Sequence, residues 1–371
     1  MVAGLDQPAP SPAGMLPDDG RGVTIAVDAM GGDHGPSEVV PGSLDHAREH
    51  PDDRLILVGD EAVVRGLAGD LPPNVSIRHA SQVIDMDDHE PALALREKKD
   101  SSILVAMDLV KRGEADAIVT AGHTGAGMAA AVLRLGRLPG VDRPALLVRL
   151  VTEGGTLVLL DIGANPDSTA ENLAQYARMG AIFVERVHDL ARPRVALLSI
   201  GEEKGKGDER IQRATELLDA TDLNFVGNVE GKDLTRDQAD VVVTDAVAGN
   251  VVIKFFEGLS TYIFDLFRTE FSSSLRGRLA YLLMRPGIGR IRQVFDYERV
   301  GGSVLLGVRG TVIITHGRAR RRMIGYGVGV AATMARTRVP ELIGEALKPR
   351  AGGSVAATED APVPASAEAP S

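Results

Sequence analysis

The segment 116–130, DAIVTAGHTGAGMAA, constrains this chain most. Asp116 to Thr120 is predicted to be a short buried strand. Gly122, His123, Thr124 and Gly125 then break it, and small residues from Ala126 onward start a helix. Glycines at such a junction let backbone N–H groups approach a ligand closely, and the helix N-terminus that follows favours an anion. A single turn of this kind serves equally well for plain chain reversal.

The same grammar recurs. Ile25–Asp28 runs into Gly31 and Gly32, Leu157–Leu160 into Asp161-Ile162-Gly163-Ala164-Asn165, and Val195–Ile200 into a loop holding Lys204 and Lys206. Val241–Thr244 runs into Asp245, Gly249 and Asn250, and Val312–Thr315 into His316-Gly317. With the first segment these make six apolar runs that end in Gly plus a polar residue. The carboxyl ends of an open parallel sheet share one edge, where ligands bind. All six polar ends are therefore expected to meet around one site. Strands alternating with helical patterns predict a doubly wound α/β architecture.

Composition narrows the function. The chain of 371 residues has no cysteine, which excludes disulfides, thiolate metal sites and thiol nucleophiles. A net charge of −10 argues against bulk nucleic-acid binding. The eight histidines show no HExxH spacing. No run of about 18 apolar residues predicts a membrane span, and the first residues lack the basic and apolar regions of a secretory signal. A cytoplasmic location is expected, with membrane association at the inner face as an added expectation. Residues 1–21 and 351–371 are rich in Pro, Ala, Ser and acids and read as disordered tails around one unit, 22–350.

Within that unit, a helix is expected from Ser168 to His188 with Ser168 as its cap, and another from Ile324 to about Leu347. Residues 254–299 predict a protruding helical hairpin, with Pro286-Gly287 turning the chain. Leu279, Leu282 and Leu283 among arginines suit either packing or a membrane-facing tip.

Seven motifs, VDAMGGDHGP (27–36), TAGHTGA (120–126), DIGAN (161–165), SIGEEKGKG (199–207), FVGNVEGKD (225–233), VVVTDAVAGNVVIK (241–254) and GGSVLLGVRGTVIITHG (301–317), together resemble the phosphate acyltransferase family called PlsX. This chain departs from the family at His123, usually Asn, and at Ala246 and Val247, often Gly and a larger residue. It also has Arg318 and Ala319 where two serines usually follow the last motif. The resemblance implies a Rossmann-like fold related to isopropylmalate dehydrogenases and phosphotransacetylases. It implies a homodimer with no metal and no nucleotide cofactor. The reaction implied is transfer of a fatty acyl group from acyl-acyl carrier protein to inorganic phosphate. The acyl phosphate would then pass to a membrane glycerol-3-phosphate acyltransferase of the PlsY type for phospholipid synthesis.

That chemistry needs phosphate held beside a thioester, an oxyanion stabilised by preorganised donors, and a thiolate leaving group. Lys204, Lys206 and Lys254 are the candidate cations, aided by the backbone around Gly31, Gly32, Gly122, Thr124 and Gly125. Asn165 and Asn250 are candidate donors, or caps of their own turns. Lys254 alternatively pairs with Glu257 or Asp265. His123 and His316 are candidate proton-transfer groups, or structural hydrogen-bonders. Asp28, Asp161 and Asp245 would repel phosphate, so they are expected to orient lysines or histidines. An acidic carrier would dock on Arg318, Arg320, Arg321 and Arg322 or on the hairpin arginines. Three alternatives compete, the weakest a non-enzymatic membrane scaffold carried by the hairpin alone, which leaves six polar strand ends without a purpose. A phosphotransacetylase-like enzyme would use acyl-coenzyme A. A dehydrogenase would want a GxGxxG turn, which Ala29-Met30-Gly31-Gly32 does not supply.

Overall fold

The computed structural model describes residues 21–88, 90–152, 155–294 and 296–348. Residues 1–20 of the expected N-terminal tail (1–21), the expected C-terminal tail (351–371), Gly154 of the expected turn and Phe295 of the hairpin lie outside these. The described chain builds one mixed sheet of eleven strands with helices on both faces. The strands are β1 (Thr24–Asp28), β2 (Arg54–Gly59), β3 (Val75–His79), β4 (Ala117–Thr120), β5 (Ala145–Thr152) and β6 (Gly155–Leu160). They continue as β7 (Arg194–Leu198), β8 (Asn224–Val229), β9 (Val241–Val243), β10 (Ser303–Leu306) and β11 (Thr311–Ile314). Their spatial order is β3-β2-β1-β4-β11-β10-β5-β6-β9-β7-β8. Central strands such as Val241–Val243 and Thr311–Ile314 are buried throughout, as continuous apolar runs covered on both faces should be.

The two halves of the sheet run in opposite directions. β1, β2, β3, β4, β11 and β5 are mutually aligned, whereas β6, β7, β8 and β9 run the other way, as does β10. The reversal comes at β5 and β6, which pair antiparallel and are separated by only two residues. A connection that short cannot join parallel strands. The expectation that six carboxyl ends share one edge is therefore corrected. Asp28, Gly122 and His316 end strands at one edge. Asp161, the Lys204–Lys206 loop and Asp245 follow strands that end at the opposite edge.

Helix boundaries also differ from expectation. The helix Ala170–Val187 is capped by Thr169, not Ser168. Thr169 accepts from the Asn172 N–H, and Asn172 reaches back to the Thr169 N–H. The expected last helix is two, Arg321–Thr337 and Val339–Ala346, divided at Arg338 in a left-handed conformation (φ 52°) just before Val339-Pro340. The hairpin is present as Ala246–Ser272 followed by Leu275–Val294, with Phe271 and Tyr281 in contact at 5.8 Å between ring centroids. Its second helix continues through Pro286, where the sequence predicts a turn. Among the described residues no helix is long and apolar enough to cross a membrane.

Candidate active site

One strand edge gathers the first, second and last glycine motifs. The carboxylate of Asp28, buried at the end of β1, accepts 2.7 Å from Thr120 Oγ1, and Thr120 Oγ1 in turn accepts from the Gly122 N–H. Burial raises the Asp28 pKa above the ordinary carboxylate range, against hydrogen bonds that favour its charged form. Gly31 lies against Gly122 so closely that a Cβ on it would sit 2.7 Å from the Gly122 amide nitrogen. The Asp33 N–H donates to Gly317 O, which ties the first loop to the last. His123 caps the helix Thr124–Arg134, its Nδ1 accepting from the Ala126 N–H.

The long helix Ala246–Ser272 connects the two edges. It starts beside Asp161, where a Cβ on Gly249 would lie 2.0 Å from Asp161 O, so only glycine permits this approach. Lys254, farther along the helix, contacts His316 Nε2 and donates 3.1 Å to Glu257 Oε2. Glu257 is also 3.8 Å from His316 Nε2. The Arg318 N–H donates to His316 Nδ1 at 3.2 Å, which leaves the proton of a neutral ring on Nε2. Burial first, and the Lys254 charge second, lower the His316 pKa below its ordinary value. His316 and Lys254 thus share one close contact, across which only one of the two nitrogens can donate.

A cavity of about 700 Å³ opens beneath this helix. Thr124, Asn250, Lys254, His316 and Arg318 line it, joined by Asp33 and Glu257. Much of its remaining wall is apolar, from Leu146, Val148 and Leu150 of β5 and from Val251 and Ile314. A few polar groups in an apolar concavity of this size is the usual form of a small-ligand site. Arg149 and Arg299 also line it, and desolvation lowers the Arg149 guanidinium to about 10. Neither arginine carries a motif signal. Glu257 was legible only as a partner three residues beyond Lys254.

Other candidates lie elsewhere. The Asp161 carboxylate accepts from the Leu146, Gly163, Ala164 and Asn165 N–H groups, and burial raises its pKa. The Asn165 amide donates to Pro144 O, Asp161 Oδ2 and Tyr176 Oη. Asp245 caps the long helix through the Val247 and Ala248 N–H groups and pairs with Arg210 at 2.9 Å. These aspartates thus hold backbone and Arg210, where orientation of lysines or histidines was expected. Lys204 is 79% exposed and paired 3.0 Å from Asp219, and Lys206 is exposed. Neither lines the cavity. Of the expected docking arginines, Arg321 grips Asp45 and Arg322 pairs with Asp296 and Glu298. Arg320 is 65% exposed, 3.9 Å from Glu38.

The structure is similar to a phosphotransacetylase from Streptococcus pyogenes, with a TM-score of 0.56, 18% identity, and 86% of this chain and 94% of that chain covered. A branched-chain phosphotransacylase from Enterococcus faecalis gives a TM-score of 0.55 at 14% identity, with 85% and 99% covered. These likenesses establish the fold. In sequence, the chain is 48% identical to a phosphate acyltransferase from Methylococcus capsulatus, over 87% of this chain and 96% of that protein. It is 45% identical to one from Halorhodospira halophila, over 86% and 95%. The family model described as "Fatty acid synthesis protein" matches residues 23–342. This chain belongs to that family, the phosphate acyltransferases.

Proposed function

We propose that the enzyme transfers a fatty acyl group from an acyl carrier protein thioester to inorganic phosphate, releasing acyl phosphate and the carrier thiol. The single observation that carries the site assignment is the convergence of Lys254, His316 and Arg318 at one wall of an otherwise largely apolar cavity. Lys254 and Arg318 would hold the phosphate dianion beside the thioester, which turns a bimolecular encounter into a local step. A phosphate oxygen attacks the carbonyl carbon, and negative charge develops on the carbonyl oxygen. The Asn250 amide, one helical turn before Lys254, would donate to that oxygen, beside the paired Lys254 and His316. The C–S bond then breaks and the thiolate leaves with the electron pair, which its low basicity permits without strong acid catalysis. Asp28, Gly31, Gly32, Gly122 and Gly125 fix the loops that border this wall.

Surface features support the partners of this reading. Arg318 and Arg320 would receive the acidic carrier, since Arg321 and Arg322 are already engaged by carboxylates. Phe255, Leu259, Tyr262 and Leu266 expose an apolar stripe farther along the same helix, which suits a second copy of the chain. Leu279, Leu282 and Leu283 are 61%, 64% and 77% exposed, which suits contact with a membrane surface, where a PlsY-type acyltransferase would consume the acyl phosphate for phospholipid synthesis.

The test is phosphate-dependent release of thiol from acyl-carrier protein. Release without phosphate would count against the reading, and equal turnover of acyl-coenzyme A would favour the phosphotransacetylase alternative. For the tip, Leu282→Glu should weaken liposome binding and spare activity in solution; undiminished binding would remove the tip from membrane contact.

A further inference from the structure

The cavity is polar at one end only. Lys254, His316 and Arg318 stand at the wall where β11 ends. Away from them the cavity follows the underside of the long helix across the sheet, over Leu146 and Val148 of β5. It reaches Ile162, Gly163, Pro166, Ala246 and Val247 beside the end of β6, at the opposite strand edge. None of these five residues is charged. The two ends are fixed by separate contacts, Gly249 against the Asp161 carbonyl and Lys254 against His316. From Ala246 to Lys254 the helix rises about 12 Å, and Leu146 to Leu150 spans about 13 Å of extended strand. Helix and strand thus form the roof and floor of a passage of one length.

We propose that this passage is the acyl-chain channel, entered at Lys254 and His316, and that Ala246, Val247 and Ile162 set the longest chain that the enzyme accepts. The inference rests on the acyl-transfer reading and adds where the chain lies and what measures it. A saturated chain threaded beneath the helix removes methylenes from water, and each fully buried methylene raises affinity about fourfold. That gain stops where the channel meets Ala246, which is itself buried at 4% exposure. A larger side chain there shortens the channel without touching the polar wall.

The experiment measures kcat/KM for hexanoyl and decanoyl carrier thioesters with inorganic phosphate, in the full chain and in Ala246→Leu. The expected result is a loss of about tenfold for the decanoyl donor, the burial of one to two methylenes, with the hexanoyl donor changed less than about twofold. Val247→Trp, at a position 57% exposed and so tolerant of size, is the second variant and should shift preference the same way. Equal losses for both donors, or an unchanged ratio in both variants, would overturn the channel while leaving acyl transfer standing. If the unaltered chain releases no thiol in response to phosphate from either donor, the functional reading fails and the channel with it.

Discussion

The two strand edges use the same residue types in opposite ways. At the β6 and β9 ends, Asp161, Asn165 and Asp245 spend their hydrogen bonds on the fold: four backbone N–H groups converge on one buried carboxylate, and another caps a helix while holding Arg210. At the β4 and β11 ends, Lys254, Glu257 and His316 satisfy one another only in part and face a cavity. A glycine-rich polar turn is therefore not yet a site. What separates the two is whether its donors and acceptors are already matched from within.

The sharpest way to break this contrast is to substitute one residue at each edge. Lys254→Met should lower kcat/KM by about 10²–10³, the scale for removing one preorganised electrostatic contact. The melting temperature should change little, because Lys254 is about half exposed, with its side chain at 47%. A variant that melts far earlier than the unaltered protein would make Lys254 a structural residue.

Asp161→Ala should do the reverse. Stranding the N–H groups of Leu146, Gly163, Ala164 and Asn165 should cost about 3 kcal/mol of stability in chemical denaturation. The fraction that remains folded should keep most of its activity. Full stability with lost turnover would move Asp161 into the chemistry and erase the distinction between the edges.

A smaller effect concerns protons. Burial and the Lys254 charge hold the His316 pKa below 6.5, so the unfolded chain binds the proton more readily than the folded one. The linked stability is present above pH 6.5 and is lost as pH falls through the folded pKa. The His316 ring resonance should therefore titrate below 6.5 by NMR, and in Lys254→Met it should move upward while Glu257 still favours the charged form. An unmoved titration would mean that Lys254 and His316 do not interact in solution.

Much of the fold was legible because apolar runs alternating with helical patterns leave few other architectures, and the β1, β4 and β11 glycine turns did meet. The division into two edges was not read, although its signal was present. Strands predicted at Ala145–Leu150 and from Thr156, joined by a tight turn, can only be antiparallel, and β7, β8 and β9 inherit that reversal by running parallel to β6. Lys254 and Asn250 were placed correctly on a helix, but local spacing could not say which edge that helix crosses to. Arg149 and Arg299 escaped notice because a single arginine in a strand or after a loop has no pattern; only the cavity they line marks them.

The smallest expected effect bears on the loop whose lysines the sequence offers as phosphate ligands. SIGEEKGKG has the composition of a phosphate-binding turn, yet Lys204 points to Asp219, and the strand before it ends at the edge away from His316. A surface pair of this kind contributes little to stability. Lys204→Ala should thus leave the phosphate KM within about twofold and stability almost unchanged. A large rise in phosphate KM, with carrier KM and folding unaltered, would bring the loop back into the chemistry. Since β7 keeps it away from the cavity of its own chain, that outcome would have to come through a second copy of the protein. It would show as a concentration-dependent KM, because a dilute, dissociated enzyme would lose the lysine that its partner supplies.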